Sequence, residues 1–127
     1  MALLPLNTFK TKTAALTTDT TATIYTAPVG VTTIVLLAQV ANITTETQYV
    51  SFKHYRRLPI LPDSQGNGGQ PADTQTEIVN NFAIPPNDSA TMTSGKLIIE
   101  TLDSIRASAT NENSCKIILS LLETANA

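Results

Sequence analysis

The chain has 127 residues, enough for one domain with a real core, and its 42% hydrophobic content excludes a disordered tail. Charged residues make up only 14%, so much of the surface must be Thr, Ser, Asn and Gln. A formal net charge of −2 argues against a general nucleic-acid binder, whose phosphate contacts need clustered Lys and Arg.

The amino terminus, with Leu3, Leu4 and Leu6 around Pro5, is apolar only briefly and lacks the basic leader of a secretory signal. No apolar run is long enough to cross a membrane as a helix, so the reading is a soluble protein made in a reducing cytoplasm. The expected organisation is an arm over 1–21 followed by a single domain over 22–127. Thr8–Ala15 alternates weakly and fits either a first strand or part of that arm. Leu3, Leu4 and Leu6 would then hook onto an adjacent subunit, or else cap the core of their own domain.

Ala22–Ala27 and Val31–Ile43 are β-rich and form the first pair, reversing at Ala27-Pro28-Val29-Gly30. Ile34–Ala41 is apolar on both alternating faces, with Ile34, Leu36, Ala38 and Val40 on one and Val35, Leu37 and Ala41 on the other. Such a strand is covered on both sides, within a sandwich or against a neighbouring subunit. Glu46–Arg57 follows after a short polar turn, so these two runs are expected to form a hairpin. Val50, Phe52, His54 and Arg56 fall on one of its faces, and Tyr49, Ser51, Lys53, Tyr55 and Arg57 on the other.

Residues 58–75 form one long excursion rich in Gly and Pro, which should project from one end of the domain. Its apolar Ile60 and Leu61 are candidate docking residues, the alternative being a solvent-facing tip. Glu77–Ala83 is a further strand, stopped by Pro85-Pro86 and the turn formers Asn87-Asp88. Ala90–Thr93, Lys96–Glu100, Ser104–Ala109 and Lys116–Glu123 complete the series. Ile117–Glu123 has helical Leu content, but it is short and lacks an N-terminal capping box, so it reads as a strand. Eight or nine short strands predict an all-β, antiparallel, jelly-roll-like sandwich.

Candidate chemistry is sparse. His54, the only histidine, has no G-x-S-x-G nucleophile elbow to serve and cannot alone build a two-histidine metal site. Cys115 begins an apolar run and reads as a buried hydrophobe; alone, it excludes an internal disulfide. Asp63–Gly68 lacks the second acidic ligand and terminal Glu of a calcium loop. No catalytic residue, cofactor site or metal site is assigned. Lys53, Arg56 and Arg57 are the densest positive charge, and Lys53, Tyr55 and Arg57 share a face suited to an acidic subunit or a neighbouring strand.

Three segments carry a resemblance: TIYTAPVGVTTIVLLAQVANIT at Thr23–Thr44, VNNFAIPPNDS at Val79–Ser89, and GKLIIETLDSIRASA at Gly95–Ala109. In this order they resemble small virion proteins of tailed bacteriophages, especially phages of marine bacteria and cyanobacteria. The chain departs from that pattern at Leu102, where the family commonly has Gly, and in its long excursion. The resemblance implies a β-sandwich structural protein, assembled in a bacterial cytoplasm and residing in the virion. Its partners would be other copies of itself and another virion protein, the major capsid, neck or tail protein. An accessory role on head or neck, of the capsid-decoration type, is the first expectation. A tail or baseplate component, or a carbohydrate-binding module for host recognition, is the alternative.

Overall fold

The computed structural model describes residues 7–56 and 74–125, and these build two antiparallel sheets packed face to face as a β-sandwich. In chain order the strands are β1 (Asn7–Ala15), β2 (Thr23–Thr26), β3 (Val31–Asn42), β4 (Gln48–Arg56), β5 (Thr74–Ile84), β6 (Ser89–Thr91), β7 (Leu97–Ile99), β8 (Ser104–Ala109) and β9 (Cys115–Ala125). The five-stranded sheet runs β1-β9-β3, with the short β6 and β7 both pairing the far edge of β3. The four-stranded sheet runs β2-β8-β4-β5. The pairs β1·β9, β2·β8, β3·β6/β7 and β4·β5 nest one inside the next, like a single long ribbon rolled over itself.

The core lies between the sheets. Val35, Ala38 and Val40 of β3 and Ile117, Leu119 and Leu121 of β9 face Val50 and Phe52 of β4 and Ile105 and Ala107 of β8. All are fully or almost fully buried, and at roughly 1.5–3 kcal/mol for each large side chain this burial is the main stabilising term. The split of β4 into two faces agrees with the alternation: Val50 and Phe52 are buried, and His54 follows them inward. Cys115 is buried at the start of β9, where loss of solvent pushes its thiol pKa up and keeps it protonated.

Two expectations are corrected. Neither the Ala22–Ala27/Val31–Ile43 pair nor the Val31–Ile43/Glu46–Arg57 pair is a hairpin, because β2 and β4 belong to one sheet and β3 to the other. Each short turn steps across the sandwich, roughly 10 Å between sheets, instead of joining hydrogen-bonded neighbours. Turn residues report a reversal, and a reversal serves an arch as well as a hairpin.

The second correction concerns the faces of β3. Register shifts between Val35 and Leu37, leaving Leu36 as an extra residue opposite β9. The bulge inverts the alternation, so Val35, Ala38 and Val40 point inward while Ile34, Leu37, Gln39 and Ala41 point outward. Simple period-two counting cannot see this.

Of the segment expected as an arm, Asn7–Ala15 is edge strand β1, hydrogen-bonded along β9 of the same chain, which is the other option the sequence left open. Leu3, Leu4 and Leu6 lie outside the described residues. So do residues 58–73 of the excursion, while its last two residues, Thr74 and Gln75, open β5 and pair Arg56 and Tyr55 at the end of the β4·β5 ladder.

Both ends of the sandwich are tied by side chains. At one end, the amide nitrogen of buried Asn42 donates to the carbonyls of Glu46, Ile84 and Pro85 at 2.7, 3.0 and 3.2 Å. Its oxygen accepts from the Thr44 amide and hydroxyl at 2.9 and 2.7 Å. At the other end, the Thr101 hydroxyl bridges the Pro28 and Val31 carbonyls, and the Leu102 amide donates to Ala27. Leu102 there adopts φ +66°, the left-handed region that glycine enters without strain.

Candidate interaction face

Cross-strand register gathers apolar side chains on the outer face of the five-stranded sheet. Phe9 of β1 sits opposite Leu122 of β9, Leu122 opposite Ile34 of β3, and Ile34 opposite Ile98 of β7. These four form one row across four strands, and its ends are the most open: Phe9 is 75% and Ile98 56% exposed. Leu36 and Ile118, both partly open, extend the apolar surface along β3 and β9. Among the described strand residues on this face, Lys116 carries the only charge. Scattered exposed apolar residues are ordinary; a contiguous, nearly uncharged row is a candidate contact surface.

Towards the other end of the same face lies a hollow of about 490 Å³. Small side chains make it: Thr13 and Ala15 of β1 and Ala41 of β3 flank Lys116 and Ile118 of β9, with Gln39 closing one side. Gln39 is held there by donating to the Ser89 hydroxyl at 3.0 Å.

The sheet edges contrast with this face. On β1, Lys10 and Lys12 fall on the core side beside Leu121 and Leu119, a placement that resists addition of a further strand. β2 has four residues, and β6 and β7 three each. β5 is long, but two register shifts and a left-handed Asn81 interrupt it. Every edge among the described strands is therefore blunted, which leaves the face as the available surface.

The proposed partner-binding residues that are described, Lys53 and Tyr55, lie elsewhere, on the outer face of the four-stranded sheet. Arg106 of β8 stacks over the Tyr55 ring at 3.7 Å and donates to Gln75 at 3.3 Å. Lys53 stands between Glu77 and Arg106 in register. Arg56, on the opposite face, pairs with Glu100 at 2.6 Å. The cluster of charge thus splits between the faces, as alternation requires. Arg57, Ile60 and Leu61 lie outside the described residues. A second depression on this sheet, about 240 Å³, is lined by hydroxyls of Thr18, Thr20, Ser51 and Ser108 beside the half-exposed Tyr49.

His54 points into the sandwich, its Nε2 3.4 Å from Asp103 Oδ2, and both groups are largely buried. A carboxylate beside an imidazole is two-thirds of a hydrolytic triad. Among the described residues, however, no nucleophile is hydrogen-bonded to His54 Nε2, and no group of three metal-ligating side chains converges. A separate polar cluster links the sheets: the Tyr25 hydroxyl donates to Glu123, lies 2.7 Å from the Thr33 hydroxyl, and Lys10 pairs with Glu123 at 3.0 Å. Burial and the Glu123 carboxylate drive the Tyr25 pKa well above its ordinary value. Burial alone would raise the Glu123 pKa, but the Tyr25 and Lys10 hydrogen bonds and the Lys10 charge outweigh it, and the net shift is downward.

Sequence reasoning missed Phe9, Ile98 and Leu122 as surface candidates. The one signal was the doubly apolar β3, which implied an outer cover without saying where. Among the described residues no helix is long and apolar enough to cross a membrane. The sequence matches no family model, and no curated protein or solved structure matches the chain.

Proposed function

We propose that this chain is a non-catalytic structural protein of a tailed-phage virion, an accessory subunit of head or neck that acts by self-association and by docking on another virion protein. The observation that carries the reading is the apolar row Phe9–Leu122–Ile34–Ile98 on a face whose surrounding edges, among the described strands, are all blunted. A protein that must avoid strand addition yet keeps a greasy face has a use for that face. The phage assignment draws on the resemblance over Thr23–Thr44, Val79–Ser89 and Gly95–Ala109. The nested pairing order supports reading the sandwich as a jelly roll, an architecture used by capsid and lectin domains alike, so fold alone does not choose between them.

In this reading His54 and Asp103 are a structural pair near one end of the sandwich. A sugar-binding module is the second reading, favoured by the hydroxyl-lined depression beside Tyr49. A lone aromatic ring is a poor platform for a saccharide, which ranks it behind.

Density-gradient-purified particles assembled from the coding genome provide the test. Mass spectrometry should find the chain at a fixed copy number per particle, and cryo-electron microscopy should place this β-sandwich on the head or neck. Particles that lack the chain would overturn the proposal. Glycan-dependent protection of Tyr49 in the isolated protein would favour the sugar-binding module.

A further inference from the structure

We infer that the outer face of the five-stranded sheet pairs with the same face of a second copy, about a two-fold axis that sets the apolar ridge of each copy in the hollow of the other. This rests on the proposal that the chain works by self-association, and names the surface and geometry.

Three observations lead there. First, ridge and hollow share one face and lie at opposite ends of the same strands: Phe9 and Ala15 are the two ends on β1, and Leu122 and Lys116 on β9. Six residues separate each pair, roughly 20 Å at about 3.3 Å per residue. A two-fold axis parallel to the hydrogen-bond direction reverses the strands, so β1 opposes β1 and β9 opposes β9, running antiparallel. Each Phe9 then lies over the partner's Ala15, and both contacts form at once. Aligned packing of two sheets keeps strand directions within about 30°, which preserves this match.

Second, the size is right. Four strands at ~4.8 Å spacing and ~30 Å of strand give a footprint of roughly 600 Å². A standard stable interface buries about 800 Å² per partner, and turns at the rim can supply the remainder.

Third, the charge is right. A face that met an acidic or basic partner would carry complementary charge, whereas this one carries Lys116 alone among its described strand residues. In the two-fold arrangement each Lys116 stands against the partner's Leu122, its aliphatic stem packed and its ammonium at the rim. The two lysines stay about 20 Å apart, beyond a Debye length at physiological salt.

The test is sedimentation equilibrium on the purified full chain with single and mixed variants. Phe9→Lys alters the ridge and Ala15→Glu the hollow; both positions are exposed, and circular dichroism confirms that each variant folds. Wild type should dimerise, each variant alone should dimerise at least ~30-fold more weakly, and an equimolar mixture should recover most of the affinity. Ile98→Lys and Ser89→Glu form a second complementary set should either first variant fail to fold, because the same axis that sets Ile34 over the partner's Ala41 sets Ile98 of β7 over Ser89 of the partner's β6. Wild type that stays monomeric at all concentrations overturns the pairing, as does a dimer indifferent to these substitutions. A monomer that is nonetheless present in purified particles would remove the two-fold pairing and leave the virion assignment standing.

Discussion

Replacing Asn42 by Ala removes a side chain that joins β3 to two other parts of the chain. Its amide donates to three backbone carbonyls and accepts from both polar groups of Thr44, with the residue only 2% exposed. Water can reach the Glu46 and Pro85 carbonyls once the amide is gone, so those losses approach the net value of an ordinary hydrogen bond, about 0.5–1.5 kcal/mol each. The Ile84 carbonyl is buried and would be stranded, at a cost of about 1–3 kcal/mol. Allowing for relaxation, the variant should lose about 3 kcal/mol, a large share of a total stability of ~5–15 kcal/mol. Urea unfolding followed by circular dichroism measures this by linear extrapolation, and the m-value should stay unchanged. Asn42→Asp separates the two halves of the network. It keeps the acceptor for Thr44 but turns a carboxylate towards three carbonyls, so it should be at least as damaging as Ala. A loss below ~1 kcal/mol for Asn42→Ala would show that the corner holds through its backbone alone. The same burial and engagement keep Asn42 from serving as a glycosylation acceptor, although Asn42-Ile43-Thr44 matches that pattern.

Other outcomes follow from the same structure. Folding lowers the Glu123 pKa, so its contribution is complete above the ordinary value of 4.5 and is lost as pH falls through the lower folded value. Glu123→Gln should therefore lower stability at neutral pH and flatten the acid limb of the stability profile; an unchanged limb would remove the Tyr25–Glu123–Lys10 cluster from the account. Leu102→Gly should be neutral or stabilising by up to ~1 kcal/mol, because Leu102 is 42% exposed and sits at φ +66°. Leu102→Val should destabilise by ~1 kcal/mol or more, and thermal melts of both variants check the pair. Cys115, buried and with its thiol pKa raised, should resist a thiol reagent until the chain unfolds; rapid labelling under native conditions would place it at the surface.

The strand inventory was legible because its signals are local. Gly30 does take a positive φ, Asn87 does turn the chain after Pro85-Pro86, and Cys115–Ala125 is a strand despite its leucines. Sheet membership was not legible, since a four- or five-residue turn can join neighbours in one sheet or arch between two. The bulge at Leu36 was hidden too, because an inserted residue leaves no mark in an apolar run where every position is hydrophobic. The apolar row needed register: Phe9 and Leu122 are far apart in sequence and meet only because β1 lies antiparallel to β9. Lys53 and Tyr55 stood out as a charged, aromatic strand. The partner that fixes Tyr55, Arg106, comes from another strand, and no local pattern links them.

Hydroxyl-radical footprinting of the chain, free at low concentration and within the assembled particle, tests the central claim most directly. Phe9, Ile98 and Leu122 should react in the free protein and become strongly protected on assembly, while Tyr55 on the other sheet serves as the reference. Equal reactivity of Phe9 and Ile98 in both states would mean that the apolar face stays open to water, and would contradict its role as the surface through which the protein assembles.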